Sequence, residues 1–360
     1  MRIAALLLFV SGAAAAADYR VTAIADGLDH PWSLATLPDG RVLVTERPGR
    51  LRVIENGTLR AEPVSGVPAV LAHGQGGLFD VLPDAGFAQN HTLYLSFAAG
   101  SREANATNVI SARFDGVALS DVKTLFSARP LKKGAVHFGA RMAQLADGSL
   151  VIGLGDGFAL REEAQNISSH LGKLVRINRD GSVPADNPFV GRADALPEIY
   201  SFGHRNVQGL LVDPSDGTIY AHEHGPRGGD EINRIRPGRN YGWPLVTYGL
   251  DYSGAVVTPY TERPGLEPPL LHWTPSIAPA GFALYRGAAF PQWRDSLLVS
   301  ALAARQVRRI ALHGGDPGTQ EVLFAELGQR LRDVRVAADG GLYLLTDANP
   351  GAVLKIDPVR

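Results

Sequence analysis

One phrase recurs along this chain: a run of aliphatic and β-branched residues, an Asp-Gly or equivalent turn, then a second alternating run. It reads LATLPDGRVLVTER from Leu34, FDVLPDAGF from Phe79 leading into TLYLSFA, MAQLADGSLVIGLGD from Met142, GLLVDPSDGTIYAHEHG from Gly209 and VRVAADGGLYLLTD from Val334. A degenerate sixth copy, GFALYRGAAFPQWRDSLLVSAL, starts at Gly281. Each copy is a hairpin signal, because such turns need residues that tolerate positive φ between two strand-forming runs. Hairpins repeated at intervals of several tens of residues point to propeller blades.

Several repeats are followed by a segment that alternates apolar and basic residues: RLRVIENG at Arg50, KLVRINRDG at Lys173, EINRIRPG at Glu231, QVRRIAL at Gln306 and AVLKIDP at Ala352. This alternation predicts half-exposed outer strands at the blade rims. The expectation is an all-β, six-bladed β-propeller of four-stranded antiparallel blades, forming a single domain over residues 18–360. The segment YRVTAIADGL would add a strand to the last blade and so remove exposed sheet edges. A parallel α/β fold is excluded, since REEAQNISSHLGKL near Arg161 is the one helix-like stretch.

Composition agrees with many short strands and tight turns: 41 glycines, 24 prolines and 20% charged residues. A formal net charge of -1 provides no long-range field for nucleic acid. The first residues, MRIAALLLFVSGAAAAADYR, combine Arg2, an apolar run from Ile3 to Val10 and an Ala-x-Ala site near Ala17. They read as a signal peptide over 1–17, with a mature chain beginning near Asp18 in the periplasm or outside the cell. The apolar run is too short to span a bilayer, so no membrane insertion is expected after cleavage. With no cysteine, an exported chain must rely on a large core, bound metal, or both.

The chemistry concentrates in polar clusters that interrupt the strands. They are HGQGGL at His73, VHFGAR at Val136, GDGF at Gly155, GHRN at Gly203, EHGPRGGDE at Glu223 and GQRLRD at Gly328. The stretch from Tyr200 to Pro244 is densest in Arg, His, Asp and Asn among glycines and prolines, which no core-packing requirement explains. If the repeats are blades and the clusters lie between them, the loops converge on one end of the channel. Arg205, Arg330 and Arg332 would then bind a multiply anionic ligand through planar guanidinium contacts, with Gln75 and Asn206 as neutral donors. The alternative is that each arginine pairs with a local acid, Arg332 with Asp333 for example. Asp156 follows His137 by 19 residues (156 − 137) across one hairpin, where its carboxylate could orient the imidazole as a general base. A structural His-carboxylate contact would look the same. His222 and His224 suggest a transition metal but lack a third ligand, whereas the Gly225-Pro226 turn could aim backbone carbonyls at a hard cation, with Asp230 and Glu231 near the same loop. No strand-GxGxxG-helix unit, GxSxG elbow or P-loop is present.

Taken together, SFGHRNVQGL, EHGPRGGDEIN, NYGWP and QRLRDVRVAADGGLYLLTD resemble the soluble pyrroloquinoline quinone-dependent aldose sugar dehydrogenases of the glucose/sorbosone dehydrogenase family, over nearly the whole mature chain. The resemblance implies a six-bladed propeller that oxidises the C1 hydroxyl of an aldose sugar to a lactone. It would use pyrroloquinoline quinone (PQQ) and Ca2+ and pass electrons to an external acceptor. Carried over by motif, His137 is the general base that takes the C1 hydroxyl proton as hydride passes to the quinone, and Asp156 is the acid that orients it. Gln75, Arg205, Asn206, Arg330 and Arg332 are quinone contacts, and the carbonyls of Gly225 and Pro226 are calcium ligands. Ser276 in HWTPSIAP is a further cofactor contact, although Trp273 there could equally be packing, and Asp251 in YGLDYSG would belong to a second calcium site. Where relatives often carry a lysine in the loop that reads SALAARQ, this chain has Ala303, with Arg305 two residues on. Two other readings compete: a calcium-dependent lactonase-type propeller, which needs acidic ligands at the channel mouth, and a propeller that binds a glycan or protein without catalysis.

Overall fold

A computed structural model describes residues 19–359; the proposed signal peptide lies outside the described residues. Six four-stranded sheets follow one another along the chain. Their innermost strands are Pro31–Thr36, Leu78–Pro83, Gly139–Gln144, Val207–Val212, Pro279–Tyr285 and Leu331–Val336, and each lies against the innermost strands of its neighbours around a closed ring. Every pairing within the blades is antiparallel, because each strand returns through a short turn. The sixth blade draws its outermost strand from the other end of the chain: Tyr19–Leu28 pairs with Gly351–Pro358 in the register Tyr19↔Pro358 to Leu28↔Gly351.

The core is a set of wedges between blades, not one central mass. Leu43, Leu51 and Val53 of the first blade pack on Leu78, Leu93 and Phe97 of the second, and equivalent clusters fill the five other junctions. A sheet buried on both faces needs apolar residues on both, so the second strands read as continuous runs such as Val42–Glu46 and Leu150–Leu154, buried throughout.

Two expectations need correction. The apolar-basic segments are third strands, not outermost ones, and Lys173–Ile177 is entirely buried. The outermost strands are weakly patterned pieces such as Thr58–Leu59 and Leu271–Trp273, which carry little periodicity to read. Not all the polar clusters lie between blades, either. Gly155 and the 224–229 segment follow the second strands of blades three and four. Antiparallel alternation brings second-to-third turns and blade-to-blade links to the same end of the ring, so both kinds of loop meet at one mouth. The helix-like stretch near Arg161 forms only a 3-10 turn, Arg161–Gln165.

All six innermost strands share one irregularity. Each slips register against its second strand near its start, between Pro31 and Ser33, Leu78 and Val81, Gly139 and Met142, Val207 and Gly209, Pro279 and Phe282, and Leu331 and Asp333. Such bulges re-aim side chains, and here they fall at the channel mouth.

Candidate active site

A cavity of about 270 Å³ opens at that mouth, lined by Trp32, Phe79, Phe138, Gln208 and Arg332 from or beside the bulges and by Arg47, Gln75, Asn206, His224, Arg330 and Asp347 from the loops. Behind the lining residues Trp32 and Gln208 lies the buried Arg141, a plug that contacts Asp80 at 3.2 Å and Asp333 at 3.3 Å while lying 4.1 Å over the Trp32 ring. Asp333 is therefore committed to this plug and to Arg335, and the acid that meets Arg330 and Arg332 is Asp347, at 2.8 and 3.1 Å. Burial works against the Asp347 charge, but Arg332 and Arg330 together hold its carboxyl below the usual range.

On the other wall, His137 Nδ1 donates to Asp156 Oδ1 at 2.7 Å. A carboxylate only accepts, so the imidazole proton is on Nδ1 and the Nε2 lone pair is the available base. Asp156 is fully buried. It also accepts from the Phe158 amide at 2.7 Å and from Trp243 Nε1 at 2.8 Å, which fixes its plane. His137 sits in the left-handed region at φ 51°, a strained conformation held from both sides. Its own amide donates to Gln75 Oε1 at 2.8 Å, and the Gly139 amide donates to Asn206 Oδ1 at 3.2 Å. Gly155 lets these segments meet, because a Cβ there would stand 2.2 Å from the His137 carbonyl oxygen and 2.9 Å from Asn206 Oδ1. Burial pulls the His137 pKa below its ordinary value despite the Asp156 contact, and the Arg205 and Lys132 charges add to the effect.

Arg205 is buried, and among the described residues it has no acidic partner and its Nε has no hydrogen-bond partner, while its Nη1 donates to the carbonyls of Gly225, at 2.6 Å, and His224, at 3.1 Å. The loop is held from behind, where Glu223 accepts from the Arg205 amide and from His204 Nδ1 (2.8 Å), whose other nitrogen faces Ser201 Oγ at 2.9 Å. Above the histidine, Phe158 packs edge-on at 5.1 Å and stacks on Tyr252, both half exposed, and Arg205 lies 5.7 Å over the Tyr252 ring.

Of the residues expected from sequence, Gln75, Asn206, Arg330 and Arg332 line the cavity, and the His137–Asp156 pair and Arg205 border it. Ser276 does not line it: its hydroxyl donates to the buried Asp230 at 2.6 Å, which also caps the amides of Gly225, Ile277 and Ala278. Asp230 therefore organises the loop, and Glu231 lies on the following strand, Asp230–Ile235. Asp251 is half-exposed, with Oδ1 accepting from Ser253 and Oδ2 3.7 Å from Arg161. Among the described residues no group of three acidic, histidine or cysteine side chains could hold a metal ion. His222 and His224 do not pair as ligands, since each faces a backbone carbonyl, of Gly281 and Pro279 respectively. Neither Ala303 nor Arg305 lines the cavity. Sequence reasoning missed Arg47, Asp347 and Trp243, although each stood inside a recurring phrase or motif: Arg47 ends LATLPDGRVLVTER, Asp347 ends QRLRDVRVAADGGLYLLTD and Trp243 lies in NYGWP.

Residues 28–355 match the model of the family described as Glucose / Sorbosone dehydrogenase. The chain belongs to the glucose/sorbosone dehydrogenase family. Within it, the chain is 40% identical to aldose sugar dehydrogenase YliI of Escherichia coli, over 96% of this chain and 94% of that protein. It superposes on a crystal structure of a glucose dehydrogenase at TM-score 0.91 and 45% identity, covering 93% of this chain and 99% of that one. It also superposes on the PQQ-bound form of aldose sugar dehydrogenase from Streptomyces coelicolor, at TM-score 0.78 and 29% identity over 94% and 98% of the two chains.

Proposed function

We propose that this family member oxidises the C1 hydroxyl of aldose sugars to lactones with pyrroloquinoline quinone. The observation that carries this reading is a buried, carboxylate-oriented histidine base beside a cavity lined by guanidinium groups. The residues present fit a tricarboxylic quinone. Arg205 keeps a buried Nε without a partner, Arg330 and Arg332 share a single acid, and the amide nitrogens of Gln75 and Asn206 make no bond among the described residues while their oxygens brace the His137 segment. When bound, the quinone supplies the acceptor for the two electrons and the hydrogen leaving C1. His137 Nε2 takes the hydroxyl proton, and Asp156 stabilises the imidazolium that results. Trp243 and the Phe158 amide keep that carboxylate from rotating away. Phe158 and Tyr252 offer aromatic faces beside the base, where a sugar ring could pack and water would be excluded.

Calcium fits in part. The carbonyls of Gly225 and Pro226 would hold the ion: that of Pro226 accepts no hydrogen bond among the described residues, whereas that of Gly225 already accepts from Arg205 at 2.6 Å and would offer only its second lone pair beside a guanidinium charge. Export to the periplasm or beyond, with delivery of electrons to an external acceptor, completes the proposal. Among the described residues no helix is long and apolar enough to cross a membrane. The lactonase reading gains nothing from the mouth, where the one carboxylate lining the cavity is tied to two arginines.

The test is reconstitution. Purified protein supplied with calcium and PQQ should reduce an artificial dye when given glucose or another aldose; no quinone binding and no dye reduction across a broad sugar panel would sink the reading.

A further inference from the structure

Three guanidinium groups line the cavity, and they are not equivalent. Arg330 and Arg332 both reach Asp347, whereas the side chain of Arg47 makes no hydrogen bond or ion pair among the described residues. Its backbone, by contrast, is pinned on both sides. The Arg47 amide donates to the His30 carbonyl at 3.1 Å, and its carbonyl accepts from the Leu78 amide at 3.0 Å. The side-chain stem runs against Gly77, where a Cβ would come within 2.5 Å of Arg47 Cγ and 2.1 Å of Arg47 O, so only glycine fits beside it. A rigidly anchored arginine whose charged end is uncommitted, on the wall of a cavity that holds three guanidinium groups against one carboxylate, is built to meet an anion.

We propose that Arg47 is an anion-binding residue of this site and takes a carboxylate of the quinone from the first blade, alongside Arg330 and Arg332 on the sixth. This rests on the functional reading above. The neighbouring geometry supports it: Gln75, whose amide nitrogen has no partner among the described residues, lies in the segment that ends at Gly77, so a planar fork and a neutral donor approach the cavity from adjacent turns. Arg305, two residues from Ala303, does not reach the cavity, and Arg47 is the further cation that does.

The experiment is an equilibrium titration of the full-length protein with PQQ in the presence of calcium, read by quenching of tryptophan fluorescence, since Trp32 lines the same cavity. Arg47→Met should raise Kd about tenfold to hundredfold, and Arg47→Lys, which keeps the charge but loses the fork, should fall between. The Tm of the quinone-free protein should stay level or rise in Arg47→Met, because no ion pair is lost. Equal Kd values for the unsubstituted and Arg47→Met proteins would overturn the proposal while leaving the functional reading intact. A marked fall in quinone-free Tm for both variants would also overturn it, by showing that the arginine serves packing. Absence of quinone binding by the unsubstituted protein would overturn the functional reading, and the proposal with it.

Discussion

The two walls of the cavity handle charge in opposite ways. On the wall made by blades six and one, cations outnumber acids, Arg330 is nearly half exposed, and Asp347 is shared between two guanidinium groups. On the wall made by blades three and four, one imidazole and one carboxylate are withdrawn from water, and the carboxylate's remaining partners are the neutral Trp243 indole and a backbone amide. An excess of accessible cations draws in and orients a polyanion. A desolvated His–Asp pair whose carboxylate is fully bonded is poor at drawing anything in, but it holds one proton position with little reorganisation when that proton moves. The charged wall and the proton-transfer pair thus draw on different blades, and substitutions in the one should be separable from substitutions in the other.

The sharpest way to break the comparison is at the base. His137→Ala and Asp156→Asn should each lower kcat by between about 10²- and 10⁴-fold, with quinone Kd in a fluorescence titration nearly unchanged; a parallel loss of binding would show that the walls are not separate. Asp347→Asn tests the other wall. Leaving Arg332 without its acid should cost on the order of 3 kcal/mol in urea unfolding, yet the freed cations should tighten quinone binding, so stability and affinity move in opposite directions. Trp243→Phe removes one hydrogen bond to the Asp156 carboxylate and should reduce kcat by roughly tenfold at constant Kd. The smallest effect concerns pH. Because burial holds the His137 pKa below 6.5, kcat/KM should fall only as pH drops through a midpoint below that value, where the base becomes protonated.

Lys132 offers a finer adjustment of the same midpoint. It is buried, has no hydrogen-bond partner for Nζ among the described residues, lies 3.7 Å over the Phe138 ring, and is pushed down to about 8 by burial. Replacing it with Met removes a positive charge that disfavours the imidazolium, so the acid limb should move up in pH, by less than about one unit. A limb that does not move would show that the ammonium is isolated from the pair.

The blade repeat was legible because a hairpin is a local object: its turn residues and flanking alternation sit within a few positions of one another. The approach of Gln75, Asn206, Arg330 and Arg332 to one cavity follows from that repeat together with loops that all open at one end. What escaped was in part non-local. Trp243 reaches Asp156 from a different blade, a contact that leaves no spacing signal; Asp347, by contrast, meets Arg330 and Arg332 across one hairpin, a relation as readable as that of His137 and Asp156. Ser276 and Asp251 carried the right chemistry for ligands, but Ser276 is consumed by an internal bond to Asp230 and Asp251 by a turn with Ser253 and the nearby Arg161. The bulges explain Arg332 and Arg141, since a one-residue slip near the start of an otherwise alternating strand decides which side chains turn inward, and alternation alone cannot reveal it.

The pairing of Tyr19–Leu28 with Gly351–Pro358 also sets an order of events in time. Tyr19–Leu28 is made about 300 residues before the strands it joins, so this outer strand waits unpaired until Leu331–Pro358 has been made. Arg330, Arg332 and Asp347 all belong to the sixth blade or its turns. Bringing such distant segments together costs entropy that grows only slowly with chain length, but the search is slow because the contacts are so far apart in sequence. A polypeptide interrupted a few dozen residues before its end could therefore form several blades and still hold nothing in its channel. On the proposed function, the anionic ligand would meet Arg47, Arg330 and Arg332 together only once the sixth blade has joined the first.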